Sequence, residues 1–154
     1  MGCPGTVALT FGVCVIAGFT PLVNAELFLL AVAIGLEPAC APAVIVAAAV
    51  GQMTAKLVWY EAGAGLVRLG PGRMRDRVER ARARVAAHRH MGGPFVLTSA
   101  VTGIPPFFAV SIASGVVAFG PARFMALGLV GRLVRFTVVL AVPQIARQLL
   151  PGGP

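Results

Sequence analysis

One carboxylate and two guanidinium groups stand inside apolar sequence, and they have the most chemistry to offer. Glu26 lies in a greasy run headed by Pro21 and Asn24, and nothing charged precedes it. Arg132 and Arg135 lie in the last apolar stretch, three residues apart and so on one helical face. Ionisable groups in a membrane segment are costly and mark a functional site or a paired polar network by default. Glu26 suits proton coupling, or it partners an arginine or a broken-helix amide. The arginines suit a phosphate head group, because a guanidinium matches phosphate oxygens bidentately. They equally suit an ion pair with Glu26 or, near a membrane end, snorkelling.

Around these groups stand weaker polar candidates. Asn24 and Gln52 can satisfy backbone freed where a helix breaks. Gln52 and Lys56 are four apart and share a face, with Lys56 placed as a snorkelling residue near the cytoplasmic side. Trp59 and Tyr60 sit where an aromatic belt belongs. Pro105 and Pro106 cannot both occupy an undisturbed helix interior, so they open backbone groups at a second break. No Ser-His-acid set, phosphate-cradling glycine loop or HExxH sequence is present, so an enzyme is not expected. Cys3, Cys14 and Cys40 are an odd set without CxxC spacing, expected to act as small apolar residues and not as a disulfide or metal site. His88 and His90 lie in a basic loop and are expected to be surface residues; no metal or cofactor is implied.

The elements that must position these groups follow from hydropathy. Of 154 residues, 58% are hydrophobic and 12% charged, against roughly 25% charged in soluble domains. Mean hydropathy is +0.89. This predicts an all-α integral membrane protein forming a single membrane domain over residues 1–154. Residues 5–66 make a first half, 67–91 a basic loop and 92–150 a second half. Eight of the thirteen basic residues fall between Arg68 and Arg89, so the positive-inside rule puts that loop in the cytoplasm. Nucleic-acid binding is not expected, since stacking and base-reading features are absent. Met74, Val78, Ala81 and Val85 recur at helical spacing, and the flanking arginines suit an anionic lipid surface. A solvated helix obeying the positive-inside rule is the favoured reading there.

Residues 5–19 read as a short entering helix and 20–35 as a re-entrant hairpin or broken helix; one long helix kinked at Pro21 is the alternative. Pro38 and Pro42 mark a turn, and residues 43–60 a span. The second apolar run, 92–120, is broken by Gly103-Ile104-Pro105-Pro106. Pro121 opens a final span over 122–142, which Pro143 ends. Gly35 and Gly115 are separated by the same interval as Gly51 and Gly131, hinting at a repeat. With the basic loop inside, the two spans run in opposite senses. The halves then form an inverted repeat, each a re-entrant or broken segment plus a transmembrane helix, with a site near the midplane.

In order and spacing, Pro21-Leu-Val-Asn-Ala-Glu26, Gly51 leading to Tyr60-Glu-Ala-Gly63, Gly103-Ile-Pro-Pro106 leading to Gly115, and Gly131-Arg132-Leu-Val-Arg135-Phe136 resemble the DedA family. That family is also called the VTT-domain or SNARE-associated Golgi protein family, and the likeness is greatest to its short YqaA-like bacterial branch. The resemblance spans most of residues 18–136. It implies two facing re-entrant segments, residence in a bacterial plasma membrane and handling of an anionic lipid such as a polyprenyl phosphate or phospholipid. It implies functional roles for Glu26 and for Arg135 with Arg132. The family's longer members carry arginine around the second proline motif and a basic residue where Ala64 stands here; residues 103–108 contain no arginine.

The combined expectation is a proton-coupled lipid transporter or flippase serving membrane homeostasis. Its alternatives are a scaffold with a fixed Glu–Arg core or a small-solute or ion transporter. A homo-oligomer is compatible with the glycine and alanine faces.

Overall fold

The computed structural model describes residues 2–20, 23–69, 72–87 and 89–149. Pro21 and His88 lie outside the described residues, as does the side chain of His90. Every regular element among the described residues is helical. In chain order these are α1 (Cys3–Phe19), α2 (Ala25–Ile34), a short 3-10 turn (Pro38–Cys40), α3 (Ala41–Leu69), α4 (Gly72–Ala87), α5 (Arg89–Thr102), α6 (Phe107–Val116) and α7 (Pro121–Leu149).

Prolines punctuate the chain where a missing N–H costs nothing. Pro4, Pro42 and Pro121 occupy first turns of α1, α3 and α7. The first apolar run is two helices and not one kinked helix: α1 ends where Thr20 turns extended, and Asn24 caps α2. The second run breaks between Thr102 and Phe107, around the two prolines.

The two long helices, α3 and α7, are the spine. The stretches Pro38–Arg68 and Pro121–Pro143 are long and apolar enough to cross a membrane. Both helices exceed their expected bounds. The first span does not stop at Tyr60, because the small residues that follow let α6 pack closely: a Cβ on Gly63 would strike the Ile112 carbonyl. The last does not stop at Pro143, which lies inside α7.

Side-chain contacts fix the directions. α1 runs parallel to α3: Cys3 meets Cys40, Cys14 meets Gly51, Gly18 meets Ala55 and Phe19 meets Trp59. α5 runs parallel to α7 in the same way, with Gly93 at Leu127, Ala100 at Gly131 and Gly103 at Arg135. α3 and α7 are antiparallel, since Met53 touches Gly128 while Tyr60 stacks on Phe124. The second helix of each half crosses over: α2 packs on α7 and α6 on α3. Two apolar clusters result. One joins Leu29, Val44, Ala48, Phe136 and Leu140; the other joins Met53, Tyr60, Val96, Phe107 and Phe124.

Glycine at the crossings sets how near the backbones come. A Cβ on Gly51 would sit 2.6 Å from the Phe11 carbonyl, and one on Gly131 would sit 2.5 Å from the Ala100 Cβ. These two glycines are equivalent, each seating its long helix against the first helix of its own half. Gly35 and Gly115 are not. Gly35 follows α2 in open space, whereas Gly115 is buried inside α6 against the Tyr60 carbonyl.

The cysteine expectation is overturned. Cys3 and Cys40 form a disulfide, and Cys14 alone is free and buried. Residues far apart in sequence meet because the α1–α2 hairpin returns the chain to its starting level.

Candidate functional site

Each broken segment leaves helix-end carbonyls without intrahelical partners. Water would satisfy them at a surface; inside the fold a side chain must. Lys56 Nζ donates to Gly18 O at 2.6 Å, in the last turn of α1. Arg135 Nη1 donates to Val101 O at 2.8 Å, in the last turn of α5. In both halves a cation from the long helix meets the negative end of the short helix beside it, a favourable pairing with the helix dipole. The Lys56 side chain does not snorkel. The residue is 6% exposed, and its ammonium points to the break because α3 continues well past it.

The second cap holds more. Arg135 Nε donates to Glu26 Oε1 at 2.6 Å, and Nη2 forms a salt bridge with the same oxygen. The pair is partly buried, with side-chain exposures of 21% for Arg135 and 35% for Glu26. Arg135 thereby joins the α5 end to the start of α2, the first half's carboxylate to the second half's break. Glu26 is held by its own helix, because Asn24 Oδ1 accepts from the backbone N–H of Glu26 at 2.9 Å and of Leu27 at 3.3 Å. Asn24 thus caps α2. The carboxylate sits in the first turn, where the dipole favours it.

The second break is built from hydroxyls. Ser99 Oγ donates to Pro105 O at 2.6 Å, and Thr102 Oγ1 accepts from Ile104 N at 3.1 Å. Gly103 has φ +79°, a conformation that favours glycine, and a Cβ there would approach Arg135 Nη1 to 3.0 Å. Pro105 offers its carbonyl, and Pro106 precedes α6 without a side-chain cap.

Arg132 departs from the expected pairing. It does not share Glu26 with Arg135, because three residues rotate a side chain by about 60° around a helix. Its guanidinium lies over Phe107, 4.9 Å from the ring centroid. The residue is 7% exposed and its Nε lacks a hydrogen-bond partner. Gln52, also 7% exposed, carries an unpartnered Oε1. Gln52 and Arg132 follow the equivalent glycines 51 and 131, so they occupy matching positions of α3 and α7. Tyr60 is buried and stacks on Phe124 at 5.2 Å; it belongs to the core and not to an interfacial belt.

Charge is unbalanced here. Lys56, Arg132 and Arg135 bring three cations to the middle of the helix pair. The chain has five carboxylates, and of these Glu26 alone joins them. Glu37 and Glu61 are exposed, and Asp76 and Glu79 lie on α4. Uncompensated buried charge is expensive, and an anion entering the core would relieve it. Sequence reasoning misses Ser99, Thr102 and Phe107, since only the folded break brings them together. The Gly-Ile-Pro-Pro run directly after Thr102 is the one local signal for the first two. Among the described residues no cluster of His, Cys, Asp or Glu could hold a metal.

Comparison with family models, with characterised proteins and with solved structures returns no match for this chain.

Proposed function

We propose that this is an integral membrane protein of two inverted halves that moves an anionic, phosphate-bearing lipid across a bacterial inner membrane. The observation that carries the reading is the excess of positive charge among Lys56, Arg132, Arg135 and Glu26. A phosphate head group supplies the missing negative charge and accepts several N–H donors at once. The inverted arrangement is supported by antiparallel α3 and α7, each with a parallel short helix of its own half and a crossed-over one of the other. The DedA resemblance points the same way.

Two chemical signals support one topology. The arginine-rich α4 supports a cytoplasmic placement for its end of the molecule. The Cys3–Cys40 disulfide lies at the opposite end of α3, where an oxidising compartment would keep it. In this orientation the α1–α2 hairpin dips from outside and the α5–α6 hairpin from inside. Their breaks sit roughly two helical turns apart, about 10 Å along the spine.

In the proposed cycle the phosphate enters at Arg132, whose Nε has a free donor, and competes with Glu26 for Arg135. Glu26, released from its guanidinium, carries a proton. Return of the Glu26–Arg135 pair expels the head group. The reading predicts that protein reconstituted in liposomes flips a fluorescent anionic lipid. Arg132→Gln should lower the rate at least about tenfold, the effect of losing one good charge-assisted contact. Wild-type protein that moves no lipid at any proton gradient would sink the proposal.

A second reading is a scaffold in which the halves are locked together, favoured by the direct Glu26–Arg135 bond between them. Glu26→Gln separates the two. Retained folding with lost flipping supports transport; lost folding alone supports the scaffold.

A further inference from the structure

Three aromatic rings stand in a row between an open cavity and the buried Arg132. The cavity holds about 650 Å³ and lies where α3 ends and α7 begins. Glu61, Arg68 and Glu79 line it and are exposed, so its mouth is open to solvent. Along α3 the lining runs inward from Arg68 to Tyr60, which is buried. The Tyr60 ring stacks on Phe124 at 5.2 Å, and Phe124 stacks on Phe107 at 5.7 Å. The Arg132 guanidinium then lies 4.9 Å from the centre of the Phe107 ring. All four side chains are buried.

These rings sit on parts of the fold that are held differently. Tyr60 is on α3 and Phe107 on α6, and those two helices meet at backbone contact. A Cβ on Gly115 would strike the Tyr60 carbonyl, and one on Gly63 the Ile112 carbonyl. Phe124 reaches in from α7 and stacks on both rings. The turn that joins α6 to α7 passes along the cavity. In it Ala118 has φ +55°, a costly conformation for a residue with a Cβ, and Gly120 has φ +58°. Close-packed rings exclude water, so Phe124 completes the partition between the cavity and Arg132. Withdrawn with the start of α7, it would leave a slot between Tyr60 and Phe107. That slot ends at a guanidinium whose Nε has no hydrogen-bond partner.

We propose that this cavity is the vestibule of the Arg132 site, and that Phe124 is the plug that closes it. What enters is water and a hydrated phosphate head group. Glu61 and Glu79 outnumber Arg68 in the vestibule, so an anion is passed through and not retained there; the holding charge is Arg132. This inference rests on the transport reading for what passes, and on the row of rings for the path.

The test reads Arg132 directly. Sealed membrane vesicles holding the full chain are treated with a charged, membrane-impermeant arylglyoxal, which modifies guanidinium groups. Modified peptides are then quantified by mass spectrometry. Arg123 is exposed in the first turn of α7, so its reaction identifies vesicles that present the cavity to the reagent. In these, wild-type Arg132 should stay protected. Phe124→Ala should raise the ratio of Arg132 to Arg123 modification at least about tenfold, because deleting a buried ring opens its site. Phe136→Ala removes an equally buried ring from the other apolar cluster and should leave the ratio within about twofold of wild type. Phe124→Leu keeps more of the volume and secures a folded variant; its ratio should lie between. Ala64 lines the cavity, and Cys3, Cys40 and Cys14 are bonded or buried, so Ala64→Cys can be capped with a bulky charged maleimide. That cap should return both Phe124 variants to wild-type protection.

Arg132 as protected in both Phe124 variants as in wild type overturns the proposal. Equal exposure in Phe136→Ala overturns it too, since the core would then have loosened everywhere. So does a cap at position 64 that leaves Arg132 reactive. Lipid flipping in liposomes is read separately. An Arg132 exposed by Phe124→Ala, in a protein whose wild type moves no lipid, would retire transport and leave the vestibule and its plug standing.

Discussion

The two helix breaks face the same physical problem and meet it with different chemistry. At the first, a lysine closes the end of α1 with one donor to Gly18 O, and an asparagine caps the helix that follows. At the second, an arginine closes the end of α5 and reaches a carboxylate in the other half with its remaining donors, while the helix that follows starts from proline. A compact ammonium suffices where only a carbonyl must be satisfied. A planar fork with several donors is needed where one residue must bond two elements at once. The first break is therefore a local closure, and the second is a joint between halves.

This contrast can be broken by substitution. Arg135→Ala removes the joint and strands Glu26, so it should cost about 3 kcal/mol, the low end for a broken buried pair because Glu26 is a third exposed. Thermal unfolding in detergent, run as a double-mutant cycle with Glu26→Gln, should show that the two losses do not add. If Lys56→Met costs as much as Arg135→Ala, the distinction between closure and joint fails.

The next effect should come from the glycines. Gly115→Ala drives a methyl into the Tyr60 backbone and should destabilise by about 2 kcal/mol, whereas Gly35→Ala meets open space and should stay within about 0.5 kcal/mol. Equal melting temperatures for the two variants would contradict the packing of α6 on α3.

Asn24→Ala deletes two acceptor contacts and should cost about 1 kcal/mol of stability, read from denaturant midpoints in micelles. Pro106→Ala removes no side-chain cap, and its midpoint should move less. Lys56→Met should also be small, at most about 1 kcal/mol. It leaves one carbonyl unsatisfied but also removes a desolvated charge. Under the transport reading proposed above, its larger effect should appear in lipid flipping.

What the sequence discloses follows from the range of the interactions. Consecutive prolines at 105 and 106 interrupt a helix wherever they fall, so the second break is visible in one dimension. Glu26 stands out because its neighbours are apolar. The fates of Lys56 and Tyr60 depend on where α3 ends, and that end is decided by α6 packing against Gly63, which no local pattern announces. Arg132 and Arg135 share a face by spacing. Phe107 and Glu26 draw them apart, and both partners come from other helices. The cysteine pair is hidden for the same reason: nothing near Cys3 in sequence implies that a hairpin brings Cys40 back beside it.

The bond between Cys3 and Cys40 closes the first hairpin into a ring, and the second hairpin has no such closure. A force applied ahead of Cys3 would pass through the sulfurs directly into α3, leaving α1, α2 and the Lys56 closure unloaded. A force applied at the carboxyl end would load α7, and through it Arg135 and the joint. The molecule is therefore mechanically polar: an extraction machine gripping the carboxyl side pulls on the joint, whereas one gripping the amino side must drag a closed loop.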